Sequence, residues 1–256
     1  MTESLAEGLG RIFDRRTKPS KSIQDWMNHL RETRYDPEDS LQLLAFMIAH
    51  APEAKGGLFQ DLWALWVSGQ KMGGYFVEFG AGDGVFLSNT WLLETKMGWR
   101  GLLAEPNPAF LPSLKANRRC AISTRCVYSR TGERLEFLAA SAGELSRIAS
   151  IEPADGHEEK RRKAATYFEV ETISLNDLLA ENDVPRIVDY MSVDTEGSEI
   201  EILSTFDFDR WDVRAISVEH NHTAARDQLY ALLTARGYRR ELTELSRYDD
   251  WYVKAL

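Results

Sequence analysis

Tyr75-Phe76-Val77-Glu78-Phe79-Gly80-Ala81-Gly82-Asp83-Gly84 decides the fold. An apolar run carrying one acid ends in three alternating glycines. The pattern predicts a buried strand, a tight glycine turn and then a helix over Val85–Met97. Leu87, Trp91 and Leu92 are among its apolar residues, and Gly98 lies past its end. Such a turn lets a ligand approach the backbone closely. The spacing is not the dinucleotide fingerprint G-x-G-x-x-G, which needs a glycine where this chain has Val85.

A second signal follows where a nucleoside-binding unit needs it. Gly101-Leu102-Leu103-Ala104-Glu105-Pro106 reads as the next short strand and ends in a carboxylate. Glu105 falls about 20 residues beyond the glycines, the separation at which an acid reaches ribose hydroxyls in βαβ units. A carboxylate accepts two hydrogen bonds from a vicinal diol. A Glu at a strand end is otherwise an ordinary surface group; the glycine turn before it favours the ribose reading.

The chain has 256 residues, enough for one large α/β domain with an accessory segment. Its 43% hydrophobic and 28% charged residues are those of a soluble globular protein. A net charge of −9 argues against nonspecific nucleic-acid binding. Met1 to Arg16 is polar and charged, unlike a signal peptide. The longest apolar stretch, Leu41 to Ala51, is interrupted by Gln42 and His50 and is too short to span a bilayer. A cytoplasmic location is expected. Cys120 and Cys126 are too few for a disulfide framework and no His/Cys set suits structural zinc. On one regular strand their even spacing would put them on one face, as reduced core thiols.

Residues 1–73 read as an N-terminal helical segment, with apolar faces around Leu43, Phe46 and Met47 and around Leu62, Trp63 and Trp66, punctuated by Pro19, Pro37 and Pro52. The Trp63/Trp66 pair suits core packing. The segment offers either a cap over the site or a homodimer face. Residues 74–256 alternate strands and helices. A helix is expected near Ala109–Asn117, strands near Ala121–Tyr128 and Arg134–Ala139, and regularity again from Tyr167–Ile173. Between them residues 141–166 form a charged insertion containing Glu158-Glu159-Lys160-Arg161-Arg162-Lys163, by default solvated, with a lid as the sharper option. His157 within it is expected to face solvent. Ser174-Leu175-Asn176-Asp177 and Ser198-Glu199-Ile200-Glu201 have the form of capping boxes. Ile187–Val193 and Val213–Val218 read as strands, Thr223 as a helix cap closed by Gly237, and Arg239–Leu245 with Trp251–Lys254 as a terminal hairpin. Alternation of β and α implies a mostly parallel sheet covered on both faces, with ligands outside the carboxyl ends of the strands. Glu78, Glu105, Asp194 and Glu219 all fall at such ends.

The motifs now resemble a known family. Phe76 to Gly84 with Ser88-Asn89-Thr90, in the form E-x-G-x-G-x-G, is similar to the first motif of the FkbM-type S-adenosylmethionine methyltransferases. So are Gly98-Trp99-Arg100-Gly101-Leu102-Leu103-Ala104-Glu105-Pro106-Asn107-Pro108, the segment Asp194-Thr195-Glu196-Gly197-Ser198-Glu199 and the late Glu219-His220-Asn221. Gln60-Asp61 resembles a pair found upstream of the first motif in part of that family. The likeness runs roughly from Gly57 to Asn221. It implies a Rossmann-like class I methyltransferase fold, S-adenosylmethionine as methyl donor, and methylation of hydroxyl oxygens on sugars, polyketides and related metabolites.

Carried onto this chain, the cofactor set is Glu78, Gly80, Ala81, Gly82, Asp83, Gly84, Asn89, Glu105, Pro106 and Asp194. Methyl transfer to a hydroxyl needs in-line positioning and a group to take the proton. His220 is the natural base, with Asp194 and Glu219 beside it. The same three would suit a divalent cation, but Glu219 and His220 are adjacent on a strand and point to opposite faces, so a metal-free base is preferred. Glu196 and Glu199 are expected to serve a helix N-terminus, and Glu196 to touch the cofactor. The acceptor is a small molecule or glycan. A nicotinamide oxidoreductase lacks support, since no Tyr-x-x-x-Lys set is present. A non-catalytic nucleoside-binding scaffold would need the glycine turn but not the acidic cluster.

Overall fold

The computed structural model describes residues 37–141, 143–151, 158–243 and 245–255. The helices are α1 (Pro37–His50), α2 (Gln60–Val67), α3 (Trp91–Met97), α4 (Leu111–Asn117), α5 (Glu158–Arg162), α6 (Leu175–Glu181), α7 (Glu199–Ser204) and α8 (Ala225–Ala235). The strands are β1 (Tyr75–Phe79), β2 (Arg100–Ala104), β3 (Ala121–Ser123), β4 (Cys126–Tyr128), β5 (Arg134–Ala139), β6 (Arg147–Ile148), β7 (Thr166–Ser174), β8 (Ile187–Val193), β9 (Asp212–Glu219), β10 (Tyr238–Glu241) and β11 (Asp249–Lys254).

Seven strands form the main sheet in the order β3-β2-β1-β8-β9-β11-β10. The first five are parallel, and β11 runs antiparallel to both β9 and β10. The chain leaves β1 outward through β2 and β3, then returns to the other flank of β1 with β8. That reversal is a topological switch point, and a crevice opens there at the carboxyl ends of the strands. A parallel sheet with helices on both faces, closed by an antiparallel hairpin, is the Rossmann-like class I methyltransferase architecture that the motif pattern implied.

Both faces of the sheet are buried, as the alternation along β1 requires. Val77 and Phe79 join Leu102, Met191, Val193, Ile216 and Leu229 in one cluster. Phe76 turns the other way and joins Leu62, Trp63, Leu93, Trp99, Tyr190 and Trp251 in a second. The helices α1 and α2 therefore share a core with the sheet. Trp63 is fully buried and stacks on Trp251 with ring centroids 5.1 Å apart.

Four expectations change. The helix expected from Val85 starts at Trp91. Asp83 Oδ1 accepts hydrogen bonds from Val85 N and Phe86 N at 2.8 Å each, and Leu87 has φ +57°, so the chain turns before it coils. The strand expected over Ala121–Tyr128 divides: β3 pairs with β2, whereas β4 pairs with β7 in a second sheet ordered β4-β7-β5-β6. Cys120 and Cys126 consequently do not share a strand face. Of the two capping boxes, Ser174 Oγ accepts from Asp177 N at 3.1 Å, but Ser198 caps nothing; the Glu199 carboxylate instead accepts from Thr195 N and Gly197 N. Thr223 does not cap α8 but donates its hydroxyl to His220 O at 2.9 Å.

The charged insertion is also not simply solvated. Arg147 and Arg161 are both fully buried. Arg147 donates to the carbonyls of Ile148 and Ala149 and to Glu158; Arg161 donates to Leu145 O and to Glu196. Guanidinium groups supply enough donors to satisfy several carbonyl and carboxylate oxygens, which is what permits this burial. His157 lies outside the described residues.

Candidate active site

A cavity of about 260 Å³ lies at the carboxyl ends of β1, β2 and β8. Gly80, Ala81, Gly82 and Asp83 form one side of it, Glu105 and Pro106 a second, and Ser192 and Asp194 the floor. Asn89, Phe86 and Leu87 line it from the loop after the glycines. Phe86 is 68% exposed, unusual for phenylalanine, and makes an apolar lip.

Each glycine has its own reason. Gly80 has φ +81°, and a Cβ there would lie 2.0 Å from the Asp194 carbonyl oxygen. Backbone from β1 and β8 passes too closely for any side chain. Gly82 has φ +52°, and a Cβ there would meet nothing within 4 Å. It faces the open cavity. A Cβ on Gly84 would strike Leu114 and Arg118.

Glu105 ties the two halves of this cradle together. Its Oε2 accepts from Gly82 N and its Oε1 from Asn107 N, each at 2.8 Å. Each oxygen keeps a second lone pair for a ligand hydroxyl. Burial pushes the carboxyl up to about 7 against the two backbone hydrogen bonds. Glu78 also lines the cavity, and its carboxylate accepts from Asn89 N, Ser88 Oγ and Thr90 Oγ1. Arg118, 2% exposed, stands 3.6 Å from Glu78 and donates to Gly84 O, Ser88 Oγ and Thr90 Oγ1. Glu78 and Arg118 thus set the shape of the loop that carries Asn89. Nothing in the motif pattern pointed to Arg118.

The far wall comes from the second sheet and the insertion. Phe110, Cys126, Val127, Phe137 and Ile148 form an apolar slot, with Gly143 and Ser146 at its edge. Burial raises the Cys126 thiol to about 12, so it is a neutral packing group. A flat heteroaromatic ring suits such a slot, a diol suits Glu105, and an amino-acid moiety suits the glycine turn, where a ligand can come close to the backbone. The residues present fit S-adenosylmethionine.

Beyond the floor lies an acidic cluster. One carboxylate oxygen from each of Asp194, Glu196 and Glu219 lies within 4.8 Å of the others. Asp194 and Glu219 are each held well above the usual carboxylate range. Burial is the main cause, followed for Asp194 by the charge of Glu196 and for Glu219 by that of Asp194. Gln60 approaches from α2 and donates Nε2 to Asp249 Oδ2 at 2.8 Å, while Asp61 holds Lys55 N and Leu62 N. Asp249 stands opposite Glu219 across the β9–β11 ladder.

His220 does not join this group. It follows β9 one residue after Glu219 and turns to the other side, as strand alternation dictates. Its Nδ1 accepts from His222 N at 2.9 Å and its Nε2 stands 3.6 Å from Asp250. The imidazole is 3% exposed, does not line the cavity, and burial lowers its pKa to about 4. Of the residues expected at the reacting end, Asp194 lines the cavity, Glu219 touches Asp194, and His220 is packed behind them. Glu196 occupies the place expected for the imidazole.

Residues 78–240 match the family model described as the methyltransferase FkbM domain. No curated protein sequence matches the chain. Among solved structures, a precorrin-6y C5,15-methyltransferase from Geobacter metallireducens GS-15 is 14% identical, over 75% of this chain and 85% of that one, with a TM-score of 0.40. The METTL16 methyltransferase domain is 15% identical, over 75% of this chain and 63% of that one, with a TM-score of 0.38. A mutant of MtNAS in complex with S-adenosylmethionine is 14% identical, over 92% of this chain and 72% of that one, with a TM-score of 0.34. Among the described residues no helix is long and apolar enough to cross a membrane.

Proposed function

The chain belongs to the FkbM methyltransferase family, and from that premise we propose that it transfers the methyl group of S-adenosylmethionine to a hydroxyl oxygen of a sugar, glycan or other small metabolite. When bound, S-adenosylmethionine supplies an electrophilic methyl group on a sulfonium. The glycine turn lets its amino-acid end come close to the backbone, Glu105 accepts from its ribose hydroxyls, and Phe110, Val127, Phe137 and Ile148 enclose its ring.

The observation that carries the oxygen assignment is the place of Asp194. It is the carboxylate at the end of β8 that lines the donor cavity, backed by Glu219, and no basic side chain pairs with either among the described residues. A neutral amine attacks a sulfonium without prior loss of a proton; a hydroxyl is a poor nucleophile until its proton leaves. A carboxylate that no basic side chain neutralises, beside the reacting carbon, suits the second case. Asp194 takes the hydroxyl proton, which its burial and the neighbouring charge of Glu196 both favour.

The test is to incubate the purified chain with methyl-labelled S-adenosylmethionine and a panel of glycosides, alcohols and amines, and to locate the label by mass spectrometry. O-methyl products are expected. Label on nitrogen or carbon overturns the oxygen assignment, and calorimetry showing NAD but not S-adenosylmethionine binding overturns the donor.

A further inference from the structure

We infer that Phe86 and Leu87 form the lip that recognises the acceptor, and that the acceptor is amphipathic. Its hydroxylated end reaches Asp194, which rests on the O-methylation proposed above, while an aryl or alkyl group beside that hydroxyl lies on the lip. Phe86 is 68% exposed and Leu87 44%. Of the large apolar side chains exposed among the described residues, these two alone line the cavity. Scattered exposed apolar groups are ordinary; an adjacent pair at the mouth of a cavity marks a contact surface.

The second observation is that the loop is held in this shape. Before its tip, Asp83 Oδ1 accepts from Val85 N and Phe86 N, and Arg118 donates to Gly84 O at 3.2 Å. Past the tip, Asn89 N donates to Glu78 Oε1 at 2.8 Å. Leu87 keeps φ +57°, unfavourable for any residue with a Cβ. It stands against the α1–α2 connection, where a Cβ on Gly57 would lie 3.3 Å from Leu87 Cδ2. Strain of this kind persists only where the surroundings impose it, and it gathers at ligand sites. Here it turns a phenylalanine towards solvent instead of into the core. A surface already fixed in position loses little further freedom when a ligand settles on it.

The donor's ring has its own apolar slot, in which Val127, Phe137 and Ile148 are buried. The lip belongs to a different element, the loop after the glycine turn. A free sugar presents hydroxyls along its edges and gains little from two solvated apolar side chains. An aglycone or alkyl arm beside the reacting hydroxyl takes their surface out of water.

Methyl and phenyl β-D-glucopyranoside are the probes, because they share the sugar and differ only in the aglycone. The full chain, saturated with S-adenosylhomocysteine, is titrated with each and followed by ligand-observed NMR. The phenyl glycoside should bind about tenfold tighter, the order expected of one aromatic contact. Phe86→Ser should bring the two affinities within about threefold, with S-adenosylhomocysteine binding by calorimetry also within about threefold of wild type. Phe86→Tyr should keep the preference. So should Tyr230→Ser, which alters an exposed aromatic on α8 that does not line the cavity. Circular dichroism checks that each variant folds. Equal affinities in the wild-type chain, or no binding of either glycoside, overturn the inference. So does a folded Phe86→Ser that keeps the preference. If Phe86→Ser instead weakens S-adenosylhomocysteine by more than about threefold, the lip serves the donor and the inference also falls. Failure of the wild-type chain to bind S-adenosylhomocysteine would overturn the methyltransferase reading itself.

Discussion

Replacing Gly80 with alanine separates two kinds of glycine in the same turn. A Cβ at position 80 would sit 2.0 Å from the Asp194 carbonyl oxygen and 3.2 Å from its carbonyl carbon. Both partners are backbone, so no rotamer change relieves the clash. The ends of β1 and β8 must separate by roughly 1 Å to restore van der Waals distance, although Phe79 and Val193 hold them in register. The φ of +81° adds about 1–2 kcal/mol for any L-residue, and overpacking about 1–3 kcal/mol more. The sum, roughly 2–5 kcal/mol, lowers the melting temperature by roughly 4–20 °C in a domain of this size. Moving Asp194 by about 1 Å also lowers methyl transfer on the order of 10²-fold. Gly82→Ala is the control: its Cβ meets no protein atom, so it carries the conformational cost alone and weakens donor binding. Thermal unfolding, calorimetry with S-adenosylmethionine and single-turnover transfer are measured for both variants. If Gly80→Ala melts and turns over like Gly82→Ala, the close approach of β1 and β8 does not exist as described.

Glu105→Gln should weaken S-adenosylmethionine binding by about 1.5–3 kcal/mol, read by calorimetry, since one acceptor oxygen becomes a donor. The same variant has a signed pH effect. The folded carboxyl titrates near 7 against 4.5 for the free group, so the native chain holds a proton that the unfolded chain has lost. Wild-type stability from this group falls as pH rises from about 4.5 to about 7, and a glutamine removes that slope. Denaturant unfolding should therefore show Glu105→Gln gaining on wild type across that window by on the order of 3 kcal/mol, and a constant difference would contradict the burial of an ionisable group there. Asp194→Asn should slow single-turnover transfer by about 10²–10⁴-fold; an unchanged rate removes it from the proton path. His220→Ala should keep transfer within a few-fold of wild type while lowering stability by about 1–3 kcal/mol, and a rate loss comparable to that of Asp194→Asn would return the imidazole to the reaction.

The glycine turn, the strand ending at Glu105 and the strand Ile187–Val193 were legible because period, composition and turn residues all agree there. The same agreement placed Glu78, Glu105, Asp194 and Glu219 at one rim. What the chain concealed depends on partners distant in sequence. The helix after the glycines begins late because Glu78 and Arg118 capture the hydroxyls and amides of residues 88–90, contacts that no local pattern encodes. The run Glu158 to Lys163 reads as solvated until Arg161 is seen to reach Leu145 O and Glu196. Strand alternation at Glu219 and His220 already held the answer for the imidazole. Glu196 entered the cluster through a turn with φ +57°, a conformation its residue type does not announce.

The strand that comes last in the chain, β11, does not lie at the sheet's edge but between β9 and β10. A ribosome delivers the glycine turn, Glu105, Asp194 and Glu219 well before Asp249 appears. Asp249 then meets Gln60, 189 positions earlier in the chain, and the rim closes from two distant parts of the polypeptide at once. The donor cradle is thus complete in a nascent chain whose acidic rim is still open. A stop codon just before position 249 would remove two strands from the sheet rather than one, because among the described residues β10 pairs with nothing but β11.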